Sequence, residues 1–181
     1  MENRIIEYLK DLASLNCGHE QIAWYTQQVK DARPVQCVRM RDVFTREQLQ
    51  FIFKNTGYKA EIKMCYKNAA ELVECIEWMA VHYDSDIPDI KYVEGFLDSL
   101  FPVEHAFVKV GDKYIDPTFE RALHLDVRNM PYVSCIELDR ETMEQYQTET
   151  GYYGGLYMYD YMRKNRPEMA ERMRARNPHN R

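Results

Sequence analysis

The chain has 181 residues, 45% of them hydrophobic and 29% charged, which is too apolar for a disordered polymer and the right length for one domain around a single core. Its formal net charge of -5 argues against a dedicated nucleic-acid binder, which would show a basic face. Met1-Glu2-Asn3-Arg4 leads into an amphipathic segment without the apolar centre of a signal peptide, and no run approaches the ~20 apolar residues of a membrane span, so no membrane is expected.

In chain order, Ile5, Ile6, Leu9, Leu12 and Ala13 share one face and predict a helix over residues 4–15. Cys17-Gly18 punctuates it, and a second short helix is expected over about 19–30. Arg33-Pro34 breaks the pattern, because the residue before proline avoids helical backbone. Thr45-Arg46-Glu47-Gln48 reads as a capping box, opening a helix that buries Leu49, Ile52 and Phe53 and stops near Asn55-Thr56-Gly57. From Tyr66 to Tyr83 apolar residues return with helical period at Ala69, Leu72, Val73, Ile76, Met79, Ala80 and Tyr83, with Cys65 at the first turn. A polar loop over 84–89 follows.

The period then changes to two. Short strands are expected over 91–96, 103–110, 113–116 and 132–138, with Gly111-Asp112 as a hairpin turn. Residues 141–148 are expected to form a further helix. Six tyrosines lie between Tyr146 and Tyr161 beside Gly151, Gly154 and Gly155, and read either as the lining of a substrate groove or, by slight preference, as a loop laying its rings over a thin edge of the core. Residues 163–181 carry seven Lys or Arg against two Glu, a basic tail expected to be helical or frayed beyond a single domain of residues 1–162. Helices followed by strands indicate an α+β fold, helices packed on an antiparallel sheet.

Three segments carry chemistry: Lys63-Met64-Cys65-Tyr66, Glu104-His105-Ala106-Phe107 and Ile115-Asp116-Pro117-Thr118. A cysteine is a strong nucleophile only as thiolate, and the unpaired N–H groups of a helix N-terminus favour that anion. Lys63 and Lys67 add positive charge. His105 alternates with Ala106, Val108 and Val110, so it stands on the opposite side of its strand from those core residues, together with Phe107 and Lys109. An imidazole works best when a third group orients it, and Asp116 ends the next strand, where Pro117 stops the ladder. Nucleophile, base and orienter thus fall in three adjacent elements.

A cysteine at a helix start, a His-Ala-aromatic strand and an Asp-Pro-Thr strand end, with Tyr92-Val93-Glu94-Gly95 shortly before the histidine, resemble the transglutaminase-like branch of the papain-like cysteine peptidases. The resemblance covers about residues 58–120, roughly a third of the chain, and is closest to small bacterial and phage members. It implies a papain-like or transglutaminase-like fold, with Cys65 as nucleophile, His105 as general acid and base, and Asp116 as orienter. The implied reaction is acyl transfer through a thioester, by hydrolysis of an amide, peptide or isopeptide substrate or by transfer to an amine, with no cofactor and no metal. Oxyanion stabilisation falls to the Cys65 backbone N–H, with Tyr92 as a side-chain candidate.

The alternative is a catalytically inactive binding or inhibitory protein on the same fold. The other thiols have no base in reach: Cys17, Cys37 and Cys135 read as packing or loop residues and Cys75 as near-core. Five cysteines, an odd number without a CxxC pair, fit a reduced cytoplasmic protein, and Cys17-Gly18-His19 lacks a second metal-binding half. Asn68 reads equally as a polar residue on a solvated face or as one turned back toward Cys65.

Overall fold

The computed structural model describes residues 3–15, 18–83 and 89–177. Most of the 84–89 loop and Cys17 therefore lie outside the described residues. Helix α1 (Arg4–Ser14) opens where Asn3 accepts from the Ile5 N–H, and α2 (His19–Asp31) follows Gly18. Two short strands come next, β1 (Arg33–Val35) and β2 (Cys37–Val38). The Thr45 capping box is formed by both of its reciprocal bonds and opens α3 (Arg46–Gln50), which loosens into a π-helical turn over Phe51–Asn55. The long helix α4 runs Cys65–Tyr83 and buries Ala69, Leu72, Val73, Ile76 and Met79 on the expected face, while Tyr83 at its end is exposed. Then come β3 (Ile90–Asp98), β4 (Pro102–Val110), β5 (Lys113–Ile115) and β6 (Tyr132–Leu138). Helices α5 (Arg140–Thr150), α6 (Leu156–Asn165) and α7 (Pro167–Ala175) complete the described chain.

The six strands form one sheet in the order β1-β6-β3-β4-β5-β2, antiparallel except for the parallel β2–β5 pair. Its two edge strands are separated in the chain by Gln36 alone, so the sheet must curl until its edges meet. The Gln36 amide secures the junction by bonding the Arg128 carbonyl. Closure gives every strand an inside and an outside. Inside lie Cys37, Val93, Leu97, Phe107, Val127 and Tyr132. Outside, Tyr92, Ala106, Val108 and Ile115 pack under α4, and a separate cluster joins Phe96 and Val133 to Ile5 and Leu9 of α1. Both faces of β4 are therefore buried, where alternation had given one face to the core and the other to the site. The pair β1–β2 carried no periodic signal because each strand is too short to show one.

One expectation for the C-terminal third needs correcting. The tyrosine-rich stretch is not a loop throughout: it ends in α6, with Tyr157 and Tyr159 buried, and only Tyr152 and Tyr153 remain exposed. The basic segment begins inside α6 and continues as α7, whose Ala170 enters the main core, while Asn177 is buried and bonds the Thr148 carbonyl.

One close approach decides the curl near the site. At Gly95 the β3–β6 register shifts, and a Cβ there would lie 1.9 Å from the Val133 carbonyl oxygen. Backbone stands where a side chain would have to go, so relief requires separating two strands. Gly95→Ala is expected to destabilise the fold by about 3 kcal/mol, the upper range for overpacking, read as a lowered urea midpoint. An unchanged midpoint would show that the strands separate there at little cost.

Candidate active site

Cys65 stands at the first turn of α4. The carbonyl of Met64 accepts from the Asn68 N–H, which places Met64 at the cap position, and a thioether brings no oxygen to bond the first N–H groups. Those donors therefore take no bond from the side chain at the cap position. Just upstream, Lys63 adopts a left-handed φ of 65° in the tight turn that delivers the chain to the helix. Asn68 braces that turn. Its Oδ1 accepts from the Glu61 N–H at 2.9 Å, and its Nδ2 donates to the Glu61 carbonyl at 2.7 Å and to Thr118 Oγ1 at 2.9 Å. Asn68 is fully buried, so it is neither a solvated residue nor one aimed at the thiol, but a clamp between helix and Asp116 loop.

His105 points into the top of the closed sheet. Its Nε2 lies 2.7 Å from Asp116 Oδ2, and since a carboxylate only accepts, Nε2 carries the hydrogen and Nδ1 is left for the thiol. Cys65 is near enough to act on the charge of the ring, which packs edge-on against Phe119 with centroids 5.4 Å apart. Asp116 is fully buried and receives four donors. Oδ2 takes His105 and the Tyr132 hydroxyl at 2.8 Å, and Oδ1 takes the backbone N–H groups of Thr118 and Phe119 at 2.9 and 3.1 Å. Pro117 ends the ladder and lets the chain fold back in this side-chain-capped turn. The three predicted site residues thus converge.

Sequence reasoning missed Tyr132, which opens β6 and looks there like any apolar strand residue. Tyr92 is corrected as an oxyanion donor. Its hydroxyl is buried and committed, 2.7 Å from Glu94 Oε1 and 3.0 Å from the Tyr153 carbonyl. Glu94 in turn accepts from the Leu156 and Tyr157 N–H groups and so caps α6 from across the sheet.

Burial raises the pKa of Cys37 and Cys75, and that of Cys135 to about 12, which keeps all three protonated. At His105 burial disfavours the imidazolium, but Asp116 and Cys65 outweigh it and lift the pKa to about 10. Among the described residues no group of three His, Cys, Asp or Glu side chains is placed to hold a metal, and no helix is long and apolar enough to cross a membrane.

Comparisons with family models, with curated proteins and with solved structures found no match for this chain.

A histidine raised in the folded state stabilises the fold fully below its unfolded pKa of about 6.5, and that contribution is lost as pH rises toward about 10. Urea stability is expected to fall across this window in the wild type and to fall less in His105→Gln. Parallel curves for the two proteins would show that the ring is not held protonated.

Proposed function

We propose that the protein is a thiol acyl hydrolase of the transglutaminase-like branch of the papain-like enzymes, acting on an amide, peptide or isopeptide through a thioester on Cys65. The observation that carries this reading is the buried His105–Asp116 pair, 2.7 Å apart, with Cys65 at the start of α4 near enough to favour the imidazolium.

The steps follow from these positions. The Cys65 thiolate attacks the acyl carbon, and the oxyanion forms near the N–H groups of the first turn of α4. The C–N bond breaks as the imidazolium gives its Nδ1 proton to the leaving amine, and the thioester remains. Neutral His105 then takes a proton from water, whose oxygen attacks the thioester and releases the Cys65 thiolate. An amine in place of water gives transfer instead of hydrolysis. Asp116 keeps Nε2 as the donor throughout and compensates the imidazolium charge. The nucleophile works only while reduced, which fits a cytoplasmic setting.

Limiting iodoacetamide is expected to alkylate Cys65 at least about ten-fold faster than Cys37, Cys75 or Cys135 at pH 6.5, where a free thiol is about 1% ionised. His105→Ala should abolish that advantage, with peptide-level mass spectrometry as the readout. Slow modification of Cys65, indifferent to His105, would favour a binding protein on this fold instead of an enzyme.

A further inference from the structure

The two oxygens of Asp116 serve different ends. Oδ1 accepts from the Thr118 and Phe119 N–H groups at 2.9 and 3.1 Å, which holds the carboxylate in its own turn. Oδ2 accepts from His105 Nε2 at 2.7 Å and from the Tyr132 hydroxyl at 2.8 Å, so the imidazole shares its oxygen with one other side chain. Packing does not account for that hydroxyl. The Tyr132 ring is fully buried against Phe107, with centroids 5.4 Å apart, and a phenylalanine would fill the same space. A buried hydroxyl costs free energy unless it is bonded, and this one is bonded to the oxygen that the imidazole uses.

Two donors on one carboxylate oxygen compete for its charge. What Tyr132 draws from Oδ2 is lost to His105, so the imidazolium is held less tightly than Asp116 alone would hold it. The consequence is chemical, because a general acid works best when its pKa lies near the working pH, and that of His105 already stands at about 10. The hydroxyl also stays on Oδ2 when the ring is neutral and its ionic attraction is gone, which keeps the oxygen aimed at Nε2 between proton transfers. Burial, with Asp116 and Cys37 close by, raises the Tyr132 pKa, so the hydroxyl remains a donor in every step. Cys65 of α4 acts on the imidazole, and Cys37 of β2 and Tyr58 ahead of α4 feel the Asp116 charge. Burial keeps Cys37 and Tyr58 protonated.

We infer that Tyr132 is a positioning residue for the thiol reaction. By sharing Asp116 Oδ2 with His105, it keeps the carboxylate on Nε2 and makes the imidazolium a better acid toward the leaving amine. The inference rests on Cys65 being the nucleophile, and it adds regulation of the proton that His105 transfers.

Titration of the His105 ring by NMR in the full chain, with His105→Gln to assign the signal, tests it. In Tyr132→Phe the imidazolium should persist to higher pH by roughly one pH unit, the size of one hydrogen bond to a charged group. Replacing Tyr132 by a ring-fluorinated tyrosine, whose more acidic hydroxyl is a stronger donor, should move the titration the other way. That second protein keeps the bond testable if Tyr132→Phe does not fold. Iodoacetamide alkylation of Cys65 asks no proton of His105 and should be retained in Tyr132→Phe, where a merely structural loss would slow it. A titration unmoved in both variants, or one that falls in Tyr132→Phe, with Cys65 alkylation still dependent on His105, would overturn the role of Tyr132 and leave the thiol chemistry standing. Slow alkylation of Cys65 that is indifferent to His105→Ala would overturn both.

Discussion

A carboxylate with no exposure to water sits among the rings of Phe119, Tyr132 and His105, and the architecture around it serves to make that tolerable. Burying a lone carboxylate costs several kcal/mol even after relaxation, so Asp116 persists only because four donors meet it. The donors come from β4, from β6 and from the turn behind Pro117. The turn also presents Thr118 Oγ1 to Asn68 of α4, so the carboxylate is linked through one more hydrogen bond to the helix that carries Cys65. Moving any one of these elements leaves a charge or a donor without its partner. The spacing of thiol, imidazole and carboxylate is therefore a consequence of satisfying one buried charge.

A second buried carboxylate organises the outer side of the sheet in the same manner. Burial pushes the Glu94 carboxyl up, and the Tyr157 N–H, the Tyr92 hydroxyl and the Leu156 N–H draw it back down. Because two of those donors are the first N–H groups of α6, the acid fixes where that helix begins. The loop before it then runs over the Tyr66 ring, next to Cys65, with Gly154 admitting the close approach. Asp116 faces the inside of the curled sheet and Glu94 the outside. Between them they position elements on both faces of the sheet around the half-buried Cys65.

Much of this was legible in the residue pattern, and where it failed the failures share a cause. The helix over 65–83, the Thr45 capping box and strand 132–138 were readable because their signals are local: a period, a side chain bonding its own turn, an alternation. Cys65, His105 and Asp116 were readable as a set because Cys65 and Asp116 stand at element boundaries that the pattern marks and His105 alternates with core residues along its strand. Tyr132 was not, since nothing within β6 distinguishes a tyrosine that reaches a carboxylate from one that fills a core. Asn68 was misplaced between a solvated face and the site because its partners, Glu61 and Thr118, come from a turn and from a segment fifty residues away. The tyrosines of α6 looked like loop residues because the helix is capped by Glu94 from a distant strand and not by its own N-terminal neighbours.

What the sequence by itself determined is the order and type of the main elements and the candidacy of Cys65, His105 and Asp116, because both depend on local backbone preference and on the chemistry of single residues. Closure of the sheet, the four donors on Asp116 and the fate of Tyr92 were decided only in the tertiary structure. Each of these depends on groups far apart in the chain meeting within hydrogen-bonding distance. That meeting is set by how the sheet curls around its core, which no stretch of residues encodes alone.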